Sequence, residues 1–270
     1  MVVTPRRPDP RHLVLGAASL VTVAPFAWMV ATSLKSLPNV QHMWPLEFEW
    51  GNYPEALSAA PFARYYLNTA VMTLGIVAGH LILDTLAAYA FARLRFPLRN
   101  TIFAVLVATM LVPTFLTMLP AFDLVVRMGW YDSWAALIVP RLADVFGIVV
   151  LRTYMQTLPR ELDEAALVDG AGRMRILWHV VVPLCRPALA TVAVFSFLFG
   201  WNDFLWPLLV TADDATRTVQ LGLSVFTSKY GPYPHLLMAG TVVAAVPAIV
   251  IFLFLQKALV RGLAGTGSKE

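Results

Sequence analysis

Charge is what this sequence has least of. Only 13% of its residues are Asp, Glu, Lys or Arg, while 59% are hydrophobic; soluble domains carry roughly 25% charged residues. A compact soluble fold of 270 residues still needs a polar surface. The deficit therefore excludes a soluble globular protein and points to an integral membrane protein, as does a mean hydropathy of +0.69. Cysteine is nearly missing: Cys185 stands alone, which excludes an internal disulfide and a cysteine metal cage. His12, His42, His80, His179 and His235 are scattered and never spaced H-x-x-x-H, so no metal site is expected. The nucleotide loop G-x-x-x-x-G-K-[ST] is lacking, and GTGSKE at 265–270 is a poor imitation of it. Nucleophile-elbow and metalloprotease motifs are lacking too. No catalytic residue is expected, and the chain is not expected to hydrolyse ATP by itself. Nor is there an internal repeat, a low-complexity tract or a linker between two domains; the stretch from Gly262 reads as a polar tail.

What is present is apolar runs. A transmembrane helix needs roughly 20 mostly apolar residues, and six stretches qualify: about 13–34, 67–90, 101–122, 135–154, 188–210 and 236–255. The fourth is the least clean, because Arg141 and Asp144 sit near its start. The expected fold class is all-α integral membrane, a single six-span domain over 1–270 with both ends on one side. That side holds Arg6, Arg7, Arg11, Arg93, Arg95, Arg99, Arg152, Arg160, Arg173, Arg175, Arg186, Lys257, Arg261 and Lys269. The other holds only Lys35, Arg64, Arg127, Arg141, Arg217 and Lys229. Lys and Arg favour cytoplasmic loops, so both termini are expected in the cytoplasm. The pI near 9.4 then reflects those loops and not a nucleic-acid partner. The first span has a basic start but no clear A-x-A cleavage site, and its apolar run exceeds a signal core, so it reads as a retained helix.

The polar exception lies between spans four and five, about 159–187, where ELDEAALVDGAGRMRILWHVVVPLCRP begins at Glu161. Pro159 suits a helix start. Leu162, Ala165, Ala166 and Asp169 share one face by i, i+3 and i, i+4 spacing, and alanines let a partner approach closely. Asp169-Gly170 is expected to break the helix. A second helix is expected over 172–181, with a stripe of Ile176, Leu177, Val180 and Val181. The residue before Pro183 is biased out of the helical region, and Pro187 can open span five. A hairpin lying on lipid headgroups would favour Lys/Arg with Leu/Phe/Trp instead.

This segment resembles the cytoplasmic loop of the membrane subunits of bacterial binding-protein-dependent ABC importers. That loop carries Glu-Ala-Ala, then Asp-Gly-Ala, then an apolar stretch closed by proline. Here these are Glu164-Ala165-Ala166, Asp169-Gly170-Ala171 and Pro183; Val180 and Val182 stand where the family usually has Ile and Leu. PFAWMVATSLKS (25–36), AYAFARLRFPLRN (88–100), LVPTFLTMLPAFDLV (111–125) and FGWNDFLWPLLV (199–210) are similar to the sugar-importer branch, above all to the shorter, six-span permease of maltose-type systems. The resemblance implies the binding-protein-dependent permease fold in a bacterial-type inner membrane. It implies that the loop is a coupling helix inserted into a cytosolic ATPase, with Glu164, Ala165, Ala166, Asp169, Gly170 and Ala171 at the contact. It further implies a heterodimer with a second permease, two ATPase subunits and an extracytoplasmic sugar-binding protein. ATP and Mg would be used by the ATPases, with no cofactor bound by this chain.

Polar groups at membrane depth usually face protein or a watery path. Trp201, Asn202 and Asp203 either line the translocation path, where an aromatic face can stack on a sugar, or bond to neighbouring helices near Pro207. His80 and Asp84, one turn apart, read as a buried pair rather than a proton relay, and Gly75 and Gly79 read as a helix-packing face. An ion-coupled secondary transporter using His80, Asp84 and Asp203 remains the alternative. So does an importer of glycerol-3-phosphate-type substrates, although a phosphate favours Arg or Lys in the pore and span five offers none.

Overall fold

The structure is a computed structural model and describes residues 10–228 and 233–267. Arg6, Arg7, Lys229 and Lys269 of the orientation argument lie outside the described residues. Among the described residues every regular element is helical. In chain order these are α1 (Pro10–Ser33), α2 (Asn52–Ser58), α3 (Phe62–Gly79), α4 (Thr85–Arg93), α5 (Arg99–Ala108), α6 (Thr114–Arg127), α7 (Trp134–Ile138) and α8 (Val145–Thr157). They are followed by α9 (Glu161–Val168), α10 (Arg173–Ile176), α11 (Val182–Leu184), α12 (Arg186–Trp201), α13 (Leu205–Val210), α14 (Val219–Gly222), α15 (Val225–Ser228) and α16 (Pro234–Gly267). Short 3-10 and π turns join several of them.

Three stretches, Val14–Ser33, Phe62–Arg93 and Pro234–Phe254, are long and apolar enough to cross a membrane as single helices. Of the other expected spans, three and four are bent and five is interrupted. Span three is Arg99–Leu111 and Thr114–Arg127, which meet at 101°. The bend falls at Val112, extended at φ −80° and ψ 119°, because the ring of Pro113 disfavours the helical region for the residue before it. Span four is Trp134–Arg141 and Val145–Thr157 at 41°. Span five stops at Trp201 and restarts at Leu205. The backbone is helical to Gly267, so the helix continues into the stretch from Gly262 that the sequence marks as a polar tail; that stretch contains no proline to stop it.

By its contacts the chain groups into two units. One comprises Met1–Pro61 with Leu223–Ala245. Its α1 is sheathed in exposed apolar side chains, with Leu20 at 74% and Val21 at 75%, a surface that water does not tolerate over such a length. The C-terminal carbonyls of a helix need partners, and Asn52 supplies them here: its amide donates to the carbonyls of Ser33 (2.9 Å) and Lys35 (2.8 Å). Lys35 is buried, donates to the His42 carbonyl at 2.6 Å and lies over the Trp28 ring.

Among the described residues, the larger unit, Phe62–Gly222 with Val246–Glu270, holds two apolar cores. One gathers Tyr89, Ile148, Leu151, Met155, Ile176, Leu177 and Val181. The other gathers Met72, Ile76, Leu137, Trp206 and Val210. Glycines set the helix spacing: a Cβ on Gly75 would touch the Ile138 side chain at 3.0 Å, and one on Gly79 would meet the Leu142 carbonyl oxygen at 2.7 Å.

Outside the spans, Asp132 clasps two turns. It sits at φ 58°, a left-handed conformation that Asp tolerates better than most residues. Its N–H donates to the Val210 carbonyl at 2.9 Å. Its Oδ1 accepts from the N–H groups of Ala212 (2.9 Å) and Asp213 (3.4 Å) and from the Thr216 hydroxyl. Burial alone would raise this carboxyl, but those donors outweigh it and hold it below the usual range. The clasp therefore contributes in full above the unfolded value of roughly 3.9 and is lost as pH falls through the lowered folded value. Amide exchange at Ala212 and Asp213, corrected for intrinsic rates, is expected to be slow at neutral pH and to accelerate on acidification below that range. In Asp132→Ala, which removes the accepting oxygen, it should be fast throughout; protection that ignores both would refute the clasp.

Candidate functional site

Two places carry groups that packing alone does not explain. The first is α9. It has no side-chain N-cap; instead Glu161, Asp163 and Glu164 occupy its first turn, where negative charge suits the helix dipole. Its far end is closed by the paired bonds of a Schellman turn: Ala171 N–H to the Ala166 carbonyl at 2.9 Å and Gly170 N–H to the Leu167 carbonyl at 3.0 Å. Gly170 takes φ +79°, which costs other L-residues strain. The expected break at Asp169-Gly170 is where the chain turns.

The alanine face divides. Ala166 and Ala171 pack against the first core, whereas Glu164, Ala165, Asp169 and Gly170 are exposed and Val168 is 88% exposed. Asp163 points inward and pairs with Arg93 at 3.4 Å, their side chains 10% and 3% exposed. Arg93 also donates to the Leu158 carbonyl at 3.0 Å. The α9 helix is thereby strapped to the end of α4. The expected second helix proves to be part of the core: Ile176, Leu177 and Val181 are buried. It also runs further than the sequence suggests, because Val182 stays helical at φ −58° and ψ −46°. A proline inside a helix clashes with the carbonyl four residues back. Here the wide π turn Leu177–Val181 precedes Pro183 and relaxes that crowding. The chain bends by 82° between Arg173–Leu184 and Arg186–Trp201.

The second place is where the breaks in spans four and five come together. Trp201 is buried, stacked on Phe197 (centroids 5.4 Å apart, 11° between planes) and near Tyr66. Asn202 is exposed, and its amide donates back to the Leu198 carbonyl at 2.9 Å. Asp203 pairs with Arg141 at 3.0 Å, and Trp206 donates its indole N–H to the Ala136 carbonyl at 2.9 Å. Asn202, Asp203 and Arg141 line a cavity of about 450 Å³, and Arg141 also lines a second of about 500 Å³ with His80, Phe146, Ser196 and Phe199. Trp201 is among the lining residues of neither.

His80 and Asp84 do not bond to each other. They lie on the π turn His80–Asp84 between α3 and α4 and both grip the break in span four. The ring nitrogens of His80 bond the Ser196 hydroxyl (2.7 Å) and the Arg141 carbonyl (2.9 Å). Asp84 Oδ1 accepts the Asp144 N–H at 3.0 Å. Arg141, counted among the charges of the outer side, is 11% exposed beside Asp203, a paired side chain rather than a solvated loop charge. A lone arginine inside an apolar stretch is itself the signal that could have found it.

Residues 73–265 match the family described as binding-protein-dependent transport system inner membrane component. The chain is 34% identical over 227 residues to the sn-glycerol-3-phosphate transport system permease protein UgpE of Yersinia pestis bv. Antiqua (strain Antiqua), covering 83% of this chain and 78% of that one. It is 33% identical over 260 residues to UgpE of Shigella flexneri serotype 5b (strain 8401), covering 94% and 89%. A solved chain from a bacterial ABC transporter involved in the import of the acidic polysaccharide alginate superposes with a TM-score of 0.81 at 23% identity, over 95% of this chain and 100% of that one.

Proposed function

The chain belongs to the binding-protein-dependent transport system inner membrane component family, and from that membership we propose how it works. It is a permease subunit of an ATP-driven carbohydrate importer and forms half of the translocation pathway, paired with a second permease. It is a transport component: ATP and Mg are used by two cytosolic ATPase subunits, and this chain contributes no catalytic residue and holds no cofactor. A binding protein outside the membrane delivers the substrate. Both termini and α9 lie in the cytoplasm. The solved alginate importer has been captured with a pentasaccharide-bound periplasmic protein, which supports such a partner here.

The observation that carries this reading is the build of α9. Glu164, Ala165, Asp169 and Gly170 form an exposed surface of two acids beside small residues, while Asp163 fixes the same helix to Arg93. A surface free on one side and strapped on the other can receive a push and pass it on as rigid repacking of helices. Asn202 and Asp203 line the path beside Arg141, and Trp201 braces the helix end behind them.

A single-cysteine chain tests it. Cys185 is fully buried, so Cys185→Ala clears the background at the cost of one small cavity. Adding Ala165→Cys is then expected to give a cross-link to a cytosolic ATPase subunit in the assembled complex, its yield changing when ATP is bound. A cysteine at Ala165 that reacts only with lipid-soluble reagents, with no ATPase captured, would refute the coupling role.

A further inference from the structure

Arg141 and Asp203 sit on two facing helix breaks. Arg141 ends the 3-10 turn Val139–Arg141 between α7 and α8, and Asp203 lies between α12 and α13. Their contact is 3.0 Å, yet Asp203 Oδ2 receives no aligned hydrogen bond, so the two are not joined fork to fork. A guanidinium carries five N–H donors, and among the described residues Asp203 is the one ion-pair partner of Arg141. What otherwise holds Arg141 is aromatic: its Cζ lies 4.8 Å from the Phe199 ring centroid and 5.5 Å from that of Trp206. The charge is thus oriented by two rings, only partly used by its carboxylate, and placed on the wall shared by two cavities of about 500 and 450 Å³.

A buried ion pair is a weak source of stability compared with apolar residues of the same size. An uncharged cargo has no use for an open guanidinium; aromatic walls and a few hydroxyls suffice for it. A planar fork with free donors fits two oxygens of one phosphate or carboxylate.

We propose that Arg141 is an anion-recognition site on the translocation path, neutralised between cargoes by Asp203, and that the cargo is a small polyol or sugar bearing a phosphate or carboxylate. The proposal rests on the transport reading and adds the substrate class to it. Anionic oxygens take the place of the Asp203 carboxylate at the guanidinium. Return of Asp203 displaces them, which keeps binding weak enough for the cargo to leave.

The test uses the complete importer complex, purified without its binding protein so that the binding protein's own selectivity does not enter. Affinity is measured for sn-glycerol 3-phosphate against glycerol, and for galacturonate against galactose. The charged member of at least one pair is expected to bind preferentially. Arg141→Met should weaken it by about 10- to 100-fold, the range of a lost charge-assisted hydrogen bond. Asp203→Asn should strengthen it, because the competing carboxylate is gone. That opposite sign is what a merely structural pair cannot give. The double variant Arg141→Met/Asp203→Asn leaves no unpaired charge and should bind charged and neutral members alike. Equal binding of charged and neutral probes by the wild type, or loss of affinity in both single variants, would overturn the proposal. ATP-dependent uptake with the native binding protein separates the two readings. Uptake confined to a neutral sugar, with its rate kept in the double variant, sinks only the anion site. Absence of any ATP-driven uptake sinks the transport reading and this site with it.

Discussion

Asp163→Ala is expected to abolish ATP-coupled uptake, whereas Glu164→Ala, one residue along, should weaken coupling and leave the fold intact. The two acids share a helical turn but not an environment. Glu164 is exposed, so its loss removes at most a contact to a partner, about 1.5–3 kcal/mol if charge-assisted. Asp163 is paired with Arg93, and both side chains are at least nine-tenths buried. Removing one partner of such a pair leaves a buried charge unmatched, at a cost of about 3–5 kcal/mol. That loss falls where α9 meets α4, so the hairpin should come loose locally before the bundle melts. Thermal unfolding of the purified complex, proteolysis around 160–172 and uptake in vesicles measure the three consequences. Arg93→Met/Asp163→Leu, which removes both charges, should recover much of the stability. Full uptake by Asp163→Ala would show that the strap carries no force.

Gly79→Ala is the second substitution expected to be severe, and Gly75→Ala on the same face is expected to be mild. Both glycines face span four, but they meet different atoms. An added methyl at Gly75 would touch only the Ile138 side chain at 3.0 Å or more, which can rotate. At Gly79 it would meet the Leu142 carbonyl oxygen at 2.7 Å and its Cα at 3.0 Å, and backbone cannot turn aside. Overpacking costs about 1–3 kcal/mol where side chains can yield, and Gly79→Ala belongs at or above the upper end. Gly147 is pressed against the Asp84 carboxylate from the other side of the same break. Gly79→Ala and Gly147→Ala should therefore combine non-additively. Expression level and melting temperature of the four variants give the ranking; a Gly79→Ala chain as stable as the Gly75→Ala chain would contradict it.

How much of this was legible beforehand depends on what each signal measures. The α9 turn could be read directly, because Asp169-Gly170 is a local backbone demand and Gly170 meets it at positive φ. Hydropathy found the apolar stretches but not their continuity: it sums side chains and is blind to a 101° bend, although Pro113 marked the place. Periodicity grouped Ala165 with Ala166, but a helical face has no inside until its neighbour is known, and only Ala166 packs on the core. Charge counting says nothing of what a cation touches: Arg141 and Lys35 are both buried, by partners far along the chain or across a loop. Arg93 and Asp163 escaped notice because nothing in a sequence pairs residues so distant.

The π turn His80–Asp84 inserts one residue more than regular pitch allows. One residue corresponds to about 100° of rotation about the axis, so the two halves of this span are out of phase. The α3 helix is meshed with α12, and α4 with α8. Shortening the chain by a single position within 80–84 would restore regular winding and turn one half away from its neighbour. The membrane segment thus behaves less like a rod than like a camshaft, whose timing is written in one surplus peptide unit.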